Sequence, residues 1–214
     1  MKTTNKLNDQ DLSFYLDYIT NLGMLLFAIS LTTPILGLVI FDVETEIIDG
    51  EEVIENQMFW DKPILPYICG FIILMIHWFK FVEISHYMKN TNLNQMLITF
   101  GYFFLLCLYP YLEMNIEFTS DQPHSRAVFS AVWGGLGIFS FWRLHHAKKN
   151  EMLKEVLSEN RLKVLSNEIL ADPIAAIFCI ILSYFGFNIW LIGMIAFVPL
   201  ANYLLGKTKI KAGL

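Results

Sequence analysis

Residues 19–41, ITNLGMLLFAISLTTPILGLVIF, run for 23 positions without a charged side chain. As a helix rising ~1.5 Å per residue the stretch is about 35 Å long, enough to cross a hydrocarbon core of ~30 Å. The bilayer is therefore the solvent against which the rest of the chain is read. The helix is also too polar for a plain anchor. Asn21, Ser30, Thr32 and Thr33 interrupt it, together with Gly23, Pro34 and Gly37, and a lipid-facing surface needs none of these. At ~100° per residue, Leu22, Leu26, Ile29, Thr33, Leu36 and Ile40 share one stripe, with Gly23, Ser30 and Gly37 as a small-residue ridge beside it. The ridge predicts close approach of neighbouring helices, leaving the stripe to face the axis of a bundle. On spacing alone, a packed core helix whose Ser and Thr hydroxyls bond the carbonyl four residues back is the commoner reading.

Composition agrees with a membrane protein. Of 214 residues 55% are apolar and only 16% charged, where a soluble domain carries about 25% charged residues. Five more apolar stretches follow, giving spans near 19–41, 63–82, 93–112, 127–142, 169–187 and 189–205 in a single transmembrane domain, 1–214. The expected fold is all-α and polytopic, with six transmembrane helices and the first of them lining a central axis. The last two spans are separated only by Gly186, Phe187 and Asn188, a tight turn, because one continuous helix there would overshoot the bilayer nearly twofold. The first apolar run is too long for a signal-peptide core and is expected to remain as a signal anchor.

Charge sets the expected orientation. Thirteen of the fifteen Lys and Arg residues fall in the N-terminus, the even-span connections with their flanking helix ends, and the C-terminus, leaving only Lys62 and Arg126 elsewhere. Both termini are thereby expected to be cytoplasmic, in the inner or plasma membrane. The opposite loops are acidic. Asp42, Glu44 and Glu46 open the first of them, which also carries Asp49, Glu51, Glu52, Glu55 and Asp61. Such an outer mouth concentrates cations, although acidic loops serve solvation equally well. In the long cytoplasmic segment the fourth helix is expected to continue past the membrane and turn near Ser158–Asn160 before leading into the fifth. Asp172 and Pro173 are expected close to the start of the fifth span, where a proline costs little and a carboxylate meets the helix dipole.

Chemistry of other kinds finds little footing. Cys69, Cys107 and Cys179 all lie in apolar stretches and are read as buried small hydrophobes. His77, His86, His145 and His146 lack ligand spacing and are expected near helix ends at the interface. Lys80 and Glu83 follow His77 at three-residue steps and are expected to snorkel or pair. No nucleophile-elbow, metalloprotease, Cys-x-x-Cys, Walker or dinucleotide motif occurs, which disfavours an enzyme. Gly134, Gly135 and Gly137 within an apolar span are read as helix-packing positions.

Pro66–Tyr67, Gly70–Phe71, Trp78, Leu108, Pro110 and Tyr111 fall in register with the Tyr-x-x-Ser-Phe, Trp and Leu-x-Pro-Phe positions of a known family, and residues 27–33, FAISLTT, resemble its first-span Phe-Ala-Ile-x-x-Thr-Leu. The chain resembles the transmembrane protein 175 family of potassium channels in its short, single-repeat prokaryotic form. The resemblance implies a homotetramer that passes monovalent cations, potassium foremost, with no cofactor and no nucleic-acid partner. It places the constriction at Ile29, Thr33 and Leu36, with Thr32 on the family threonine and Leu22, Leu26 and Ile40 extending the stripe. The family hallmark Arg-x-x-x-Phe-Ser-Asp instead meets Tyr18, Leu22, Gly23 and Met24. That loss keeps open a second expectation, a non-conducting scaffold or interaction protein derived from such channels.

Overall fold

The computed structural model describes residues 9–39, 43–48, 51–56, 64–114 and 123–211, with side chains for 14–32, 68, 70–112, 123–197, 199–201 and 203–204. Six helices form the bundle: α1 (Asp9–Val39), α2 (Ile64–Tyr87), α3 (Leu93–Met114), α4 (Pro123–Lys149), α5 (Glu159–Leu182) and α6 (Phe187–Lys211). Among the described residues, Phe14–Thr32, Leu93–Leu112, Pro123–Lys149 and Glu159–Phe185 are long and apolar enough to cross a membrane, and Phe187–Ala201 is a shorter apolar stretch.

A small hairpin accompanies the helical bundle. β1 (Val43–Ile48) and β2 (Glu51–Asn56) pair antiparallel between α1 and α2, in a register that joins Val43 to Asn56 and Ile48 to Glu51. The runs VETEII and EEVIEN are rich in β-branched residues and flank Asp49–Gly50, a strong two-residue hairpin signal. The acidity of the segment masks that signal, because it fits loop solvation equally well.

The main core is aromatic and gathers all six helices. Phe27 of α1 packs against Phe81 of α2 and Tyr102 of α3, and the Phe81 and Tyr102 rings stack at 14° with centroids 5.7 Å apart. Farther along the bundle Tyr109, Phe129 and Trp190 link α3, α4 and α6. α4 and α5 approach closest where side chains vanish. A Cβ on Gly134 would sit 2.8 Å from the Ala176 Cβ, and one on Gly137 would sit 2.6 Å from the Pro173 Cδ. These glycines do serve helix packing, as their apolar context indicates.

A second cluster, including Ile84, Met88, Leu144, Leu162 and Ile169, closes the end of the bundle that holds the α2–α3 and α4–α5 connections. Those two connections are tied together. Lys89 N donates to Met152 O (2.9 Å) and Lys154 N to Tyr87 O (2.8 Å). Asn92 caps α3, its Oδ1 accepting from Gln95 N at 2.8 Å. α4 ends at Lys149, and Ser158 is the N-cap of α5, accepting from Arg161 N at 3.2 Å. The turn therefore precedes Ser158, and Asn160 already lies inside the helix.

α5 starts at Glu159, well before its apolar run, and this corrects the reading of Asp172 and Pro173. Both lie in the helix interior and are buried. At the other end, Ser183–Phe185 tightens into a 3-10 turn and Gly186 reverses the chain at φ 114°. A side chain is disfavoured at that angle, so glycine ends one helix and lets the next begin at once.

Candidate pore-lining face

α1 buries one side and leaves the other uncovered. Leu16, Ile19, Gly23, Phe27 and Ser30 are buried at steps of three and four, the spacing of a single helix face. Gly23 permits the contact, because a Cβ there would press into Phe81 Cζ and fall 2.9 Å from Phe103 Cζ. Ser30 Oγ donates across to Leu106 O of α3 at 3.4 Å. Thr20 and Thr32 instead bond back along their own helix, Thr20 to Leu16 O (2.8 Å) and Thr32 to Ala28 O and Ile29 O (3.0 Å each). Both readings of the polar residues thus apply, each to different side chains.

The opposite face carries Phe14, Tyr18, Asn21, Leu25, Ile29 and Thr32, all exposed and none charged, with exposed Asp17 at its flank. Ile29 is 52% exposed in the single chain. Leu22 and Leu26 are only half-exposed and pack against the aromatic core. One residue step turns a helix by ~100°, so Leu26 stands at the flank of the face that Leu25 centres. Thr33 and Leu36 continue α1, but their side chains lie outside the described residues. Ile40 and Asp42 fall outside altogether, and Glu44 and Glu46 lie on β1 with side chains likewise outside.

The hallmark positions are spread around the helix. Tyr18 and Met24 are exposed, Leu22 is half-buried, and Gly23 is pressed against Phe81 and Phe103. Of these positions it is Gly23, where the hallmark has serine, that aromatic packing closes off.

Behind α1 lie buried polar groups that spacing along the sequence does not bring together. Lys80 Nζ of α2 lies 2.6 Å from Asp172 Oδ2 of α5 and donates to Glu168 O at 2.9 Å. His77, one turn before Lys80, is fully buried, with Nε2 3.8 Å from the same carboxylate oxygen. It is thus no interfacial histidine but one buried inside the bundle beside Asp172. Both Lys80 and Asp172 stand in apolar runs, and an intramembrane acid with an intramembrane base is by default a pair. That is the signal the sequence holds for this tie.

Two buried arginines close helix ends. Arg126 of α4 donates through Nε and Nη2 to Ser183 O (3.2 and 2.8 Å), where α5 ends. Arg143 donates to Ser85 Oγ (2.7 Å) and Phe81 O (3.4 Å) in the last turns of α2, with its Cζ 4.3 Å from the Phe81 ring centroid. In each case a cation meets the carbonyl end of a helix, where the dipole favours it. Arg161 pairs with Glu83, its Nε 3.0 Å from Oε1, and joins α5 to α2 at the same end as Arg143. Of the cysteines, Cys179 is buried, but Cys107 is exposed on the outward face of α3 with Phe104 and Tyr111, and Cys69 has no described side chain.

An uncharged, uncovered helix face held in place by buried polar ties can line water only when copies of it surround an axis. No curated protein matches the chain. Residues 22–110, reaching from the uncovered face of α1 to the buried proline of α3, match the family model of the endosomal/lysosomal potassium channel TMEM175, an ion-channel family and not an enzyme family.

Proposed function

We propose that this chain is one subunit of a passive, potassium-favouring cation channel in which four copies of α1 surround the conduction path. Ile29, Thr33 and Leu36 form its side-chain rings, Thr32 lies beside them, and Leu22, Leu26 and Ile40 extend the lining. Both termini are cytoplasmic in the inner membrane, the six helices each span it once, and Asp42, Glu44 and Glu46 stand at the outer mouth. The observation that carries the reading is the α1 face from Phe14 to Thr32, exposed and, apart from Asp17 at its flank, uncharged, while Gly23 and Ser30 lock the other side to α2 and α3. The sequence holds no Thr-Val-Gly-Tyr-Gly run for a carbonyl filter, and the apolar Ile29 and Leu36 rings gate by dewetting, with the Thr33 ring between them easier to wet. The test is potassium flux into liposomes holding the full-length chain, with the subunit number read from the symmetry of the purified particle. Flux that requires the protein and falls when sodium replaces potassium is expected. Absence of flux under every gradient overturns the proposal.

A second reading has its own observation. The hallmark arginine, serine and aspartate are replaced by Tyr18, Gly23 and Met24, none of which carries a charge, and Gly23 is sealed by aromatic rings. On that reading the chain is a non-conducting scaffold, and tight assembly without flux is its signature.

A further inference from the structure

Between the last turn of α4 and the first turns of α5 lies a cavity of about 180 Å³. Its floor is apolar, built from Phe141, Leu144 and Leu162, while Lys148, Lys163 and His145 stand around it. Lys148 and Lys163 are exposed and, among the described residues, neither ammonium group forms an ion pair or hydrogen bond. Among the described residues no carboxylate lines the cavity, although Glu159 and Glu168 occupy the same helix as Lys163. Ser166 and Asn167 complete the wall with a hydroxyl and an amide that have no other partner among the described residues. The His145 ring stacks on Phe141 at 16°, which fixes it at the rim.

Two like charges held beside neutral donors and an apolar floor call for an anion of compact shape. The cavity is smaller than the roughly 300–1,000 Å³ that encloses a drug-sized ligand, which suits a headgroup and excludes a bulky solute. The surroundings favour an anion with a tail. On α5, Ile174, Ile177 and Ile181 follow Lys163 by 11, 14 and 18 residues, close to whole numbers of turns, and all are exposed. On α4, exposed Ile138 and Trp142 lead along the helix to His145. The basic cavity therefore heads a lane of open apolar side chains.

We propose that this cavity binds the phosphate of an anionic phospholipid, with Lys148 and Lys163 as its cations, Ser166 and Asn167 as hydrogen-bond donors, and the acyl chains along the α4–α5 lane. Basic pockets between membrane helices suit such headgroups, each lysine near the surface being worth about fivefold in affinity. The site does not depend on whether the chain conducts.

The probe is phosphatidic acid at low mole fraction in phosphatidylcholine nanodiscs containing the full-length protein, with retained lipid counted by native mass spectrometry. Enrichment of phosphatidic acid over phosphatidylcholine is expected. K148Q and K163Q are each expected to weaken retention about fivefold, and the double variant roughly 25-fold. K149Q removes the same charge from an exposed neighbour that does not line the cavity, and is expected to leave retention unchanged. Equal losses from K149Q and K163Q, or no enrichment in the wild type, overturn the site. Displacement by millimolar glycerol 3-phosphate overturns the lipid assignment and gives the cavity to a soluble phosphate ester. S166A/N167A, which keeps every charge, is expected to lower retention with no change in helical content; unchanged retention overturns the role given to these two donors.

Discussion

Lys80 of α2 holds Asp172 of α5 at 2.6 Å inside the bundle, a tie between a helix in the family-matched region and one beyond it. Asp172 is 2% exposed and Lys80 12%, so each charge depends on the other. Removing one leaves its partner buried and unpaired, which costs about 3–5 kcal/mol, whereas replacing both with neutral groups is often nearly neutral. K80M and D172N are each expected to lower thermal stability in detergent, and K80M/D172N to recover most of the loss. A double variant no more stable than the singles would show that the pair is not the tie.

Gly23 sets how close α1 lies to α2 and α3. A methyl group there runs into the Phe81 ring and meets the Phe103 ring at 2.9 Å. Overpacking of this sort costs about 1–3 kcal/mol. G23A is expected to lower the unfolding temperature, and F81L, which removes ring atoms facing that methyl, is expected to restore part of the loss in the double variant. Additive effects of G23A and F81L would refute the contact.

Six helices were legible from their apolar runs, four of them long and apolar enough among the described residues to cross a membrane, and Gly186 was legible because a turn at positive φ needs glycine. The uncovered face of α1 was legible only to within a flank. The wheel gathers Leu22, Leu26 and Ile29 into one stripe, but Phe81 and Phe103 rotate the contact so that Ile29 stays open while Leu22 and Leu26 turn partly inward. Such a rotation depends on which neighbour presents a ring, a long-range fact absent from local spacing. The start of α5 was misplaced for a related reason. Apolar content marks where lipid begins, whereas the helix itself begins at the Ser158 cap, so Asp172 and Pro173 lie mid-helix. The β1–β2 hairpin had a local signal in Asp49–Gly50, masked by its acidity.

Hydroxyls that look alike in sequence should differ in cost. Ser85 Oγ accepts from the buried Arg143 at 2.7 Å, while Thr20 only bonds back to Leu16 O. A hydrogen bond to a buried charge is worth about 1.5–3 kcal/mol, and a neutral one about 1 kcal/mol or less. S85A is therefore expected to destabilise the protein clearly more than T20S or T20A in the same denaturation assay. The reverse order would mean that Arg143 finds another partner without cost.

Ile29 offers the sharpest test of conduction, because it is half-exposed in the single chain and its replacement disturbs little of the core. On the proposed reading four Ile29 side chains form a ring that repels water, and an amide there wets it. I29N is expected to raise potassium flux in liposomes several-fold, roughly as a lowered dewetting barrier requires, while the unfolding temperature stays close to that of the wild type. If the same face instead meets acyl chains, the amide has no water to reach and an unsatisfied polar group enters hydrocarbon. Flux would then be unchanged and assembly or stability impaired. The two readouts together separate a pore-facing isoleucine from a lipid-facing one, whatever flux the unmutated protein supports.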